Sequence, residues 1–281
     1  MVPANPRKMS AAEMEIAISL AATEGWNPGI SDAAIFHGTD PQGYFMIEAD
    51  GALAGCISGV RYDDRFGFLG LYIMKPEHRG KGMGMKLWTT ALDYLEGCNV
   101  GLDGVVAQQD NYRKSGFVFA HNNIRFEYRV TGGEQADGGM QRLAEIPFDE
   151  LINFDAELFP ARRAQFLKPW IEQQGSVGLA AYGNDKLEGY VLLRKCMKGY
   201  KAGPLFAKDV KTARALFLSA VSGLPAGTEV YLDVPEPNKA AMQLAAMLKM
   251  EKVFETARMY NKSTPDMDLE RIFGITSFEL G

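Results

Sequence analysis

The stretch Met74-Lys75-Pro76-Glu77-His78-Arg79-Gly80-Lys81-Gly82-Met83-Gly84 joins an apolar segment to an amphipathic one through three closely spaced glycines. Upstream, residues 69–74 hold Leu69, Leu71, Ile73 and Met74 between Gly70 and Pro76, the pattern of a short buried strand. Downstream, Trp88, Ala91, Leu92 and Leu95 recur at i, i+3, i+4 and i+7, which is one apolar face of a helix. Glycine admits positive φ and lets a ligand approach the backbone, and the first turn of a helix carries N–H groups with no intrahelical partner. Those N–H groups and the helix dipole favour an anion, and Arg79 and Lys81 add positive charge. The loop therefore reads as a phosphate cradle.

Spacing narrows the phosphate ligand. Neither the dinucleotide pattern G-x-G-x-x-G nor the triphosphatase pattern G-x-x-x-x-G-K-[ST] is present. Arg79-x-x-Gly82-x-Gly84, shortly after a strand-ending Pro-Glu, resembles the coenzyme-A loop of the GCN5-related N-acetyltransferase family. A second strand is expected over 99–106, followed by Asn111-Tyr112-Arg113-Lys114-Ser115-Gly116-Phe117. In that family a tyrosine at the place of Tyr112 often protonates the leaving thiolate; the alternative is that Tyr112 packs a short helix. The family's asparagine seven residues before the tyrosine is Val105 here, so its contact to the pantetheine arm is not carried over.

The resemblance implies a mixed α/β fold, with a mostly antiparallel sheet flanked by helices and acetyl-coenzyme A (acetyl-CoA) in a splay between central strands. It implies that the backbone of Tyr72, Ile73 and Met74 pairs with the pantetheine arm. Gly80, Lys81, Gly82, Met83, Gly84 and Met85 would hold the diphosphate, supported by Arg79. The implied reaction is direct attack of a primary amine on the thioester. An alkylamine of pKa ~10.4 is neutral in only about one molecule per thousand at pH 7, so a base or a desolvating pocket is required. Asp103 is the first candidate base and Glu77 the second, although the recurrence of Asp103 as Asp233 favours a structural role.

The chain reads as a degenerate tandem repeat. Asp50-Gly51-Ala52-Leu53-Ala54-Gly55 matches Asn184-Asp185-Lys186-Leu187-Glu188-Gly189, and Leu102-Asp103 matches Leu232-Asp233, at offsets of about 130 residues. Two domains follow, 1–132 and 140–281, joined by the polar, glycine-rich stretch 131–139. The first opens with a capping box at Ser10 and Glu13 and a helix burying Met14, Ala17, Ile18 and Ala21, then a hairpin turning at Asp50-Gly51. Trp26 either lines the acceptor cleft or staples the core. In the second domain, helices are expected from Phe166, Leu167, Trp170 and Ile171, from Val210, Ala213, Phe217 and Ala220, and from Ala241, Ala245 and Leu248 behind an Asn238 cap. Strands are expected over 187–196 and 230–234. Its counterpart of the phosphate loop, 202–209, lacks the later glycines and places Asp209 at a helix start, where a carboxylate satisfies the N–H groups and repels phosphate. The last residues, Thr276 to Gly281, read as a short strand that closes a sheet edge or reaches between the domains.

Composition bounds the remainder. At 281 residues, 47% hydrophobic and 23% charged, the chain is of globular type. A net charge of −5 argues against nucleic acid as the main partner and suits a cationic small-molecule acceptor. Cys56, Cys98 and Cys196 have no metal-ligand spacing and read as buried thiols of a reducing, cytoplasmic compartment; no metal is expected. No apolar run is long enough to span a membrane, and residues 1–10 have no secretory core. His37, His78 and His121 carry no catalytic assignment. Two functions remain open: an N-acetyltransferase, or an acetyl-CoA-binding sensor without turnover, which needs the cradle but not the acid Tyr112.

Overall fold

The computed structural model describes residues 5–281; residues 1–4 of the polar leading stretch lie outside the described residues. The first half runs β1 (Arg7–Lys8), α1 (Met14–Thr23), α2 (Asp32–Thr39), β2 (Tyr44–Ala49), β3 (Ala52–Arg61), β4 (Phe66–Met74), α3 (Met83–Tyr94), β5 (Asn99–Val105), α4 (Gln109–Lys114) and β6 (Val118–Arg129). The second repeats that order: β7 (Met140–Arg142), α5 (Phe148–Ala156), α6 (Ala164–Glu172), β8 (Val177–Gly183), β9 (Lys186–Lys195), β10 (Tyr200–Ala207), α7 (Val210–Val221), β11 (Glu229–Pro235), α8 (Lys239–Met247) and β12 (Glu251–Tyr260). A short β13 (Ile272–Gly274) follows. The four expected residues of α1 are its buried face, and the Ser10–Glu13 capping box is present. The hairpin turns recur as well: Asp50 and Gly51 have φ of 51° and 78°, and Asn184 and Asp185 have 51° and 59°, the mirror-image turn that matches strand twist.

The thirteen strands of the described residues join one mixed sheet, ordered β1-β2-β3-β4-β5-β12-β6-β11-β10-β9-β8-β7, with β13 on β10. The centre is a strand exchange. β6, the last strand of the first half, lies between β12 and β11, and β12 lies between β5 and β6. The two halves are therefore welded through their central strands, and apolar clusters on both sides of the sheet contain residues from both.

Each half has one parallel pair, and each pair separates. β4 and β5 pair from Phe66–Asn99 to Leu69–Leu102 and then part, β4 staying with β3 and β5 turning to β12. β10 and β11 pair only from Tyr200–Val230 to Ala202–Leu232. In the second half β13 enters the gap and pairs with β10 at Leu205 and Phe206. In the first half the gap stays open. The stretch 202–209, expected as a loop, is mostly strand: β10 continues to Ala207, and only Lys208 and Asp209 remain before α7.

Candidate functional site

The open gap between β4 and β5 leads to a cavity of about 810 Å³, lined by β4, β5, the glycine loop, α3 and α4 and by residues of the second half. At its loop end Gly80 and Gly82 have φ of 72° and 80°, a region that costs any L-residue, and a Cβ on either would meet nothing, so the requirement is backbone conformation. Gly84 is needed for a different reason: a Cβ there would lie 2.7 Å from the Tyr72 hydroxyl. Gly82 is the N-cap of α3 and supplies no side-chain acceptor, so the N–H groups of Met83, Gly84 and Met85 face outward unsatisfied. That end of the helix fits a phosphate. Arg79 stands on the rim, its Nε donating to the Met74 carbonyl at 2.8 Å and its Nη2 paired with Glu24 at 2.7 Å. Lys81 is exposed.

The start of α7 is the built-in control. There Asp209 is the N-cap, and its carboxylate accepts from the Thr212 N–H at 2.8 Å. The chain's own side chain holds the place that is vacant on α3.

Aromatic rings form the β5 wall. Trp88 stacks on Tyr112 with centroids 5.5 Å apart and leans on Tyr72 at 5.4 Å. Tyr112 lies flat across Gly104, where a Cβ would overlap its ring. Its hydroxyl has no hydrogen-bond partner among the described residues, and burial pushes the phenol up to about 12. Opposite, the register of β3 and β4 shifts between Cys56 and Ser58, and Leu71 takes a φ of 47°. This bulge ends the regular ladder where the strands part.

Two family models match the chain: the Acetyltransferase (GNAT) family over residues 12–117 and an Acetyltransferase (GNAT) domain over residues 151–274. A holothin acyltransferase from a Pseudoalteromonas species is 31% identical over 272 residues, spanning 97% of this chain and 92% of that protein. The chain belongs to the GNAT acetyltransferase family. It is a tandem member and an acyltransferase. Among solved structures, a putative acetyltransferase from Pyrococcus horikoshii superposes with a TM-score of 0.85 at 20% identity, covering 100% of this chain and 97% of that one. A tandem GNAT protein from the clavulanic acid biosynthesis pathway superposes at 0.66 and 13% identity, covering 94% and 99%. At those identities the likeness is one of fold.

Within this acetyltransferase, Asp103 is not free to act as a base. Both its oxygens are held by Arg258, at 2.8 and 2.6 Å, and Asn123 donates to it at 2.8 Å. Arg258 and Asp103 sit directly opposite one another on β12 and β5. The pair has a twin: Arg125 on β6 grips Asp233 on β11 with two bonds of 2.7 Å, again directly opposite. Each exchanged strand thus carries the arginine that reads the other half's aspartate. Glu77, the second candidate base, is exposed on the turn Pro76–His78 and does not line the cavity.

The wall also includes Trp26, Phe254, Thr256, Phe278 and Glu279. The last four come from the second half, which therefore closes the site. Trp26 faces the cleft while its carbonyl accepts from Arg125 and Lys201 at 3.0 Å. Residues 275–281 are not a strand; they run between the halves, where Tyr62 donates to the Leu280 carbonyl at 2.8 Å. Glu279 escaped sequence reasoning. Its only signal was a lone acid in the apolar string Phe278-Glu279-Leu280.

Among the described residues, no His, Cys, Asp and Glu group is placed to hold a metal, and no helix is long and apolar enough to cross a membrane.

Proposed function

We propose that this chain transfers an acetyl group from acetyl-CoA to the primary amine of a small molecule. The observation that carries the reading is the contrast between the halves: one splay open, with an uncapped helix start and Tyr112 at its wall, the other filled by β13 and capped by Asp209. One coenzyme per chain follows. The backbone of Tyr72, Ile73 and Met74, on the edge that β5 leaves beyond Leu69, would pair with the pantetheine arm. Gly80 to Met85 would hold the diphosphate through N–H groups, with Arg79 and Lys81 adding charge. The units 1–132 and 140–281 belong to this proposal as coenzyme-binding and site-closing halves. The acyltransferase relative is named for holothin, which supports a small-molecule acceptor here. Three free, buried cysteines support a reducing compartment such as the cytoplasm.

In the mechanism, the acceptor nitrogen attacks the thioester carbonyl and Tyr112 faces the departing sulfur. Burial pushes the phenol up to about 12, above the ordinary ~8.5 of a thiol, so Tyr112 is a weak donor for outright transfer to sulfur. Tyr112 therefore first donates a hydrogen bond to the growing thiolate and gives up its proton only as the amine's proton replaces it. Asp103 keeps a structural part, holding β12 against β5 below the reacting atoms.

The test is release of coenzyme thiol from acetyl-CoA across a panel of small amines. Turnover with some amines, absent with their alcohol analogues, is the expected result. No release with any amine, together with stabilisation by the coenzyme, would favour a sensor.

A further inference from the structure

The cavity passes through the sheet. On β4, Leu71 and Ile73 belong to the apolar cluster under α1 and α2, while Tyr72 and Met74 pack with the cluster beneath α3 and α4. All four line the cavity, beyond the point where β4 and β5 part. The start of α3 lies on the second face, with Met83 in the same cluster. Trp26, Phe254 and Phe278 lie on the first. The face away from the glycine loop is therefore walled by aromatic rings.

These rings are held from behind. Arg125, 4% exposed, places its guanidinium 4.5 Å from the Phe278 ring centroid and donates to the Trp26 carbonyl, which Lys201 also reaches, both at 3.0 Å. The Trp26 N–H donates to the Ala21 carbonyl at 3.0 Å, and the side chain of Asn27, with a φ of 53°, exchanges two 2.8 Å bonds with the Lys198 backbone. A bulge in β12 between Lys252 and Phe254 sets the third ring, 6.1 Å from Phe278. With the backbone so fixed, Trp26 and Phe254 are still only half-buried. Fixed, partly uncovered rings in a cavity are a preorganised surface for a flat apolar ligand, because little ordering remains to be lost on binding.

The wall offers an ammonium group no counter-charge. Its carboxylates are Glu24, Asp103 and Glu279. Glu24 is paired with Arg79 and Asp103 with Arg258. Both Glu279 oxygens are inaccessible, and its charge balances the buried Arg125, Arg194 and Lys201. Among the described residues, the open and unpaired ion of the wall is Lys114, a cation. An alkylamine near ~10.4 arrives as an ammonium and has to shed its proton here, whereas an amine whose lone pair is shared with a π system arrives uncharged.

We propose that the acyl acceptor is a flat, conjugated primary amine of the arylamine or heteroarylamine type, uncharged at neutral pH and seated among Trp26, Phe254 and Phe278. This rests on the acyl-transfer reading above. The uncharged nitrogen forms the C–N bond at the thioester carbon. The C–S bond breaks with its electron pair on sulfur, which receives the Tyr112 proton, and a proton from the acylated nitrogen restores the phenol. Amide and thiol result, and no carboxylate base is consumed.

The experiment titrates 4-methylaniline and its isomer benzylamine by calorimetry into the full chain saturated with coenzyme A, and follows thiol release from acetyl-CoA in parallel. The isomers share their atoms and differ in the charge of the nitrogen. Wild type is expected to bind 4-methylaniline at least about tenfold more tightly and to favour it in kcat/KM. Trp26→Ala should raise the KM for 4-methylaniline at least about tenfold with acetyl-CoA affinity unchanged, and Trp26→Phe should restore most of the loss. Benzylamine bound as tightly as 4-methylaniline, or binding of neither, overturns the assignment in wild type alone, whatever the variants do. An unchanged KM in a folded Trp26→Ala overturns it as well. Failure of the transfer reading is separate: 4-methylaniline bound in a Trp26-dependent way with no thiol released.

Discussion

Replacing Asp103 with asparagine separates a structural aspartate from a catalytic one. Arg258 is 5% exposed, lies 5.0 Å over the Phe68 ring and has the Asp103 carboxylate as its ionic partner. Removing the charge leaves a guanidinium buried among apolar groups, and breaking such a pair costs about 3–5 kcal/mol. The twin pair supplies an internal control, since Asp233→Asn strands Arg125 in the same way. Denaturant unfolding is therefore expected to show both variants destabilised by similar amounts, with kcat/KM for acyl transfer falling less than about tenfold below the melting range. Replacing the ion pair as a whole, Asp103→Leu with Arg258→Met, should recover most of the lost stability, because no charge is then left unpaired. The reasoning is refuted if Asp103→Asn unfolds like wild type and slows turnover by about a hundredfold or more while Asp233→Asn does nothing.

Three other outcomes follow. Tyr112→Phe should lower kcat by about a hundredfold with acetyl-CoA affinity unchanged. Because the folded phenol is raised to about 12, wild type should lose stability as pH rises from ~10 to ~12, and the variant should lose less. Asp209→Ala should cost about 1 kcal/mol of stability through loss of the α7 cap, without a second coenzyme site appearing, since β13 still fills that gap. His121 is held neutral chiefly by burial and then by Arg258, its pKa lowered to about 3. A depressed folded value means stability present above pH ~6.5 and lost as pH falls toward 3, on the order of 5 kcal/mol, and His121→Gln should flatten that acid slope.

The glycine loop, the tandem repeat and most flanking elements were legible because their signals are local. Glycine spacing, a 3.6-residue apolar face and the caps Asp209 and Asn238 each act within one turn of chain, and both caps form as read. What stayed hidden is what long-range pairing decides. β6 carries His121, Asn123 and Arg125 on alternate positions, and β12 carries Thr256 and Arg258. Alternate polar residues read as a solvated face, yet these are buried at the seam of the exchanged strands, where Arg125 and Arg258 each meet an aspartate of the other half. The repeat held a clue: Arg125 and Arg258 recur at nearly the spacing of Asp103 and Asp233. The stretch 202–207 misled for a related reason, its glycine and proline serving a strand packed on residues 275 and 276.

Calorimetric titration of acetyl-CoA into the full chain and its Gly82→Asp variant tests the central claim most directly. The variant places on α3 the kind of carboxylate that already occupies the start of α7. One coenzyme per chain in wild type and none in Gly82→Asp is the predicted result. Two per chain, or undiminished binding by the variant, would contradict it.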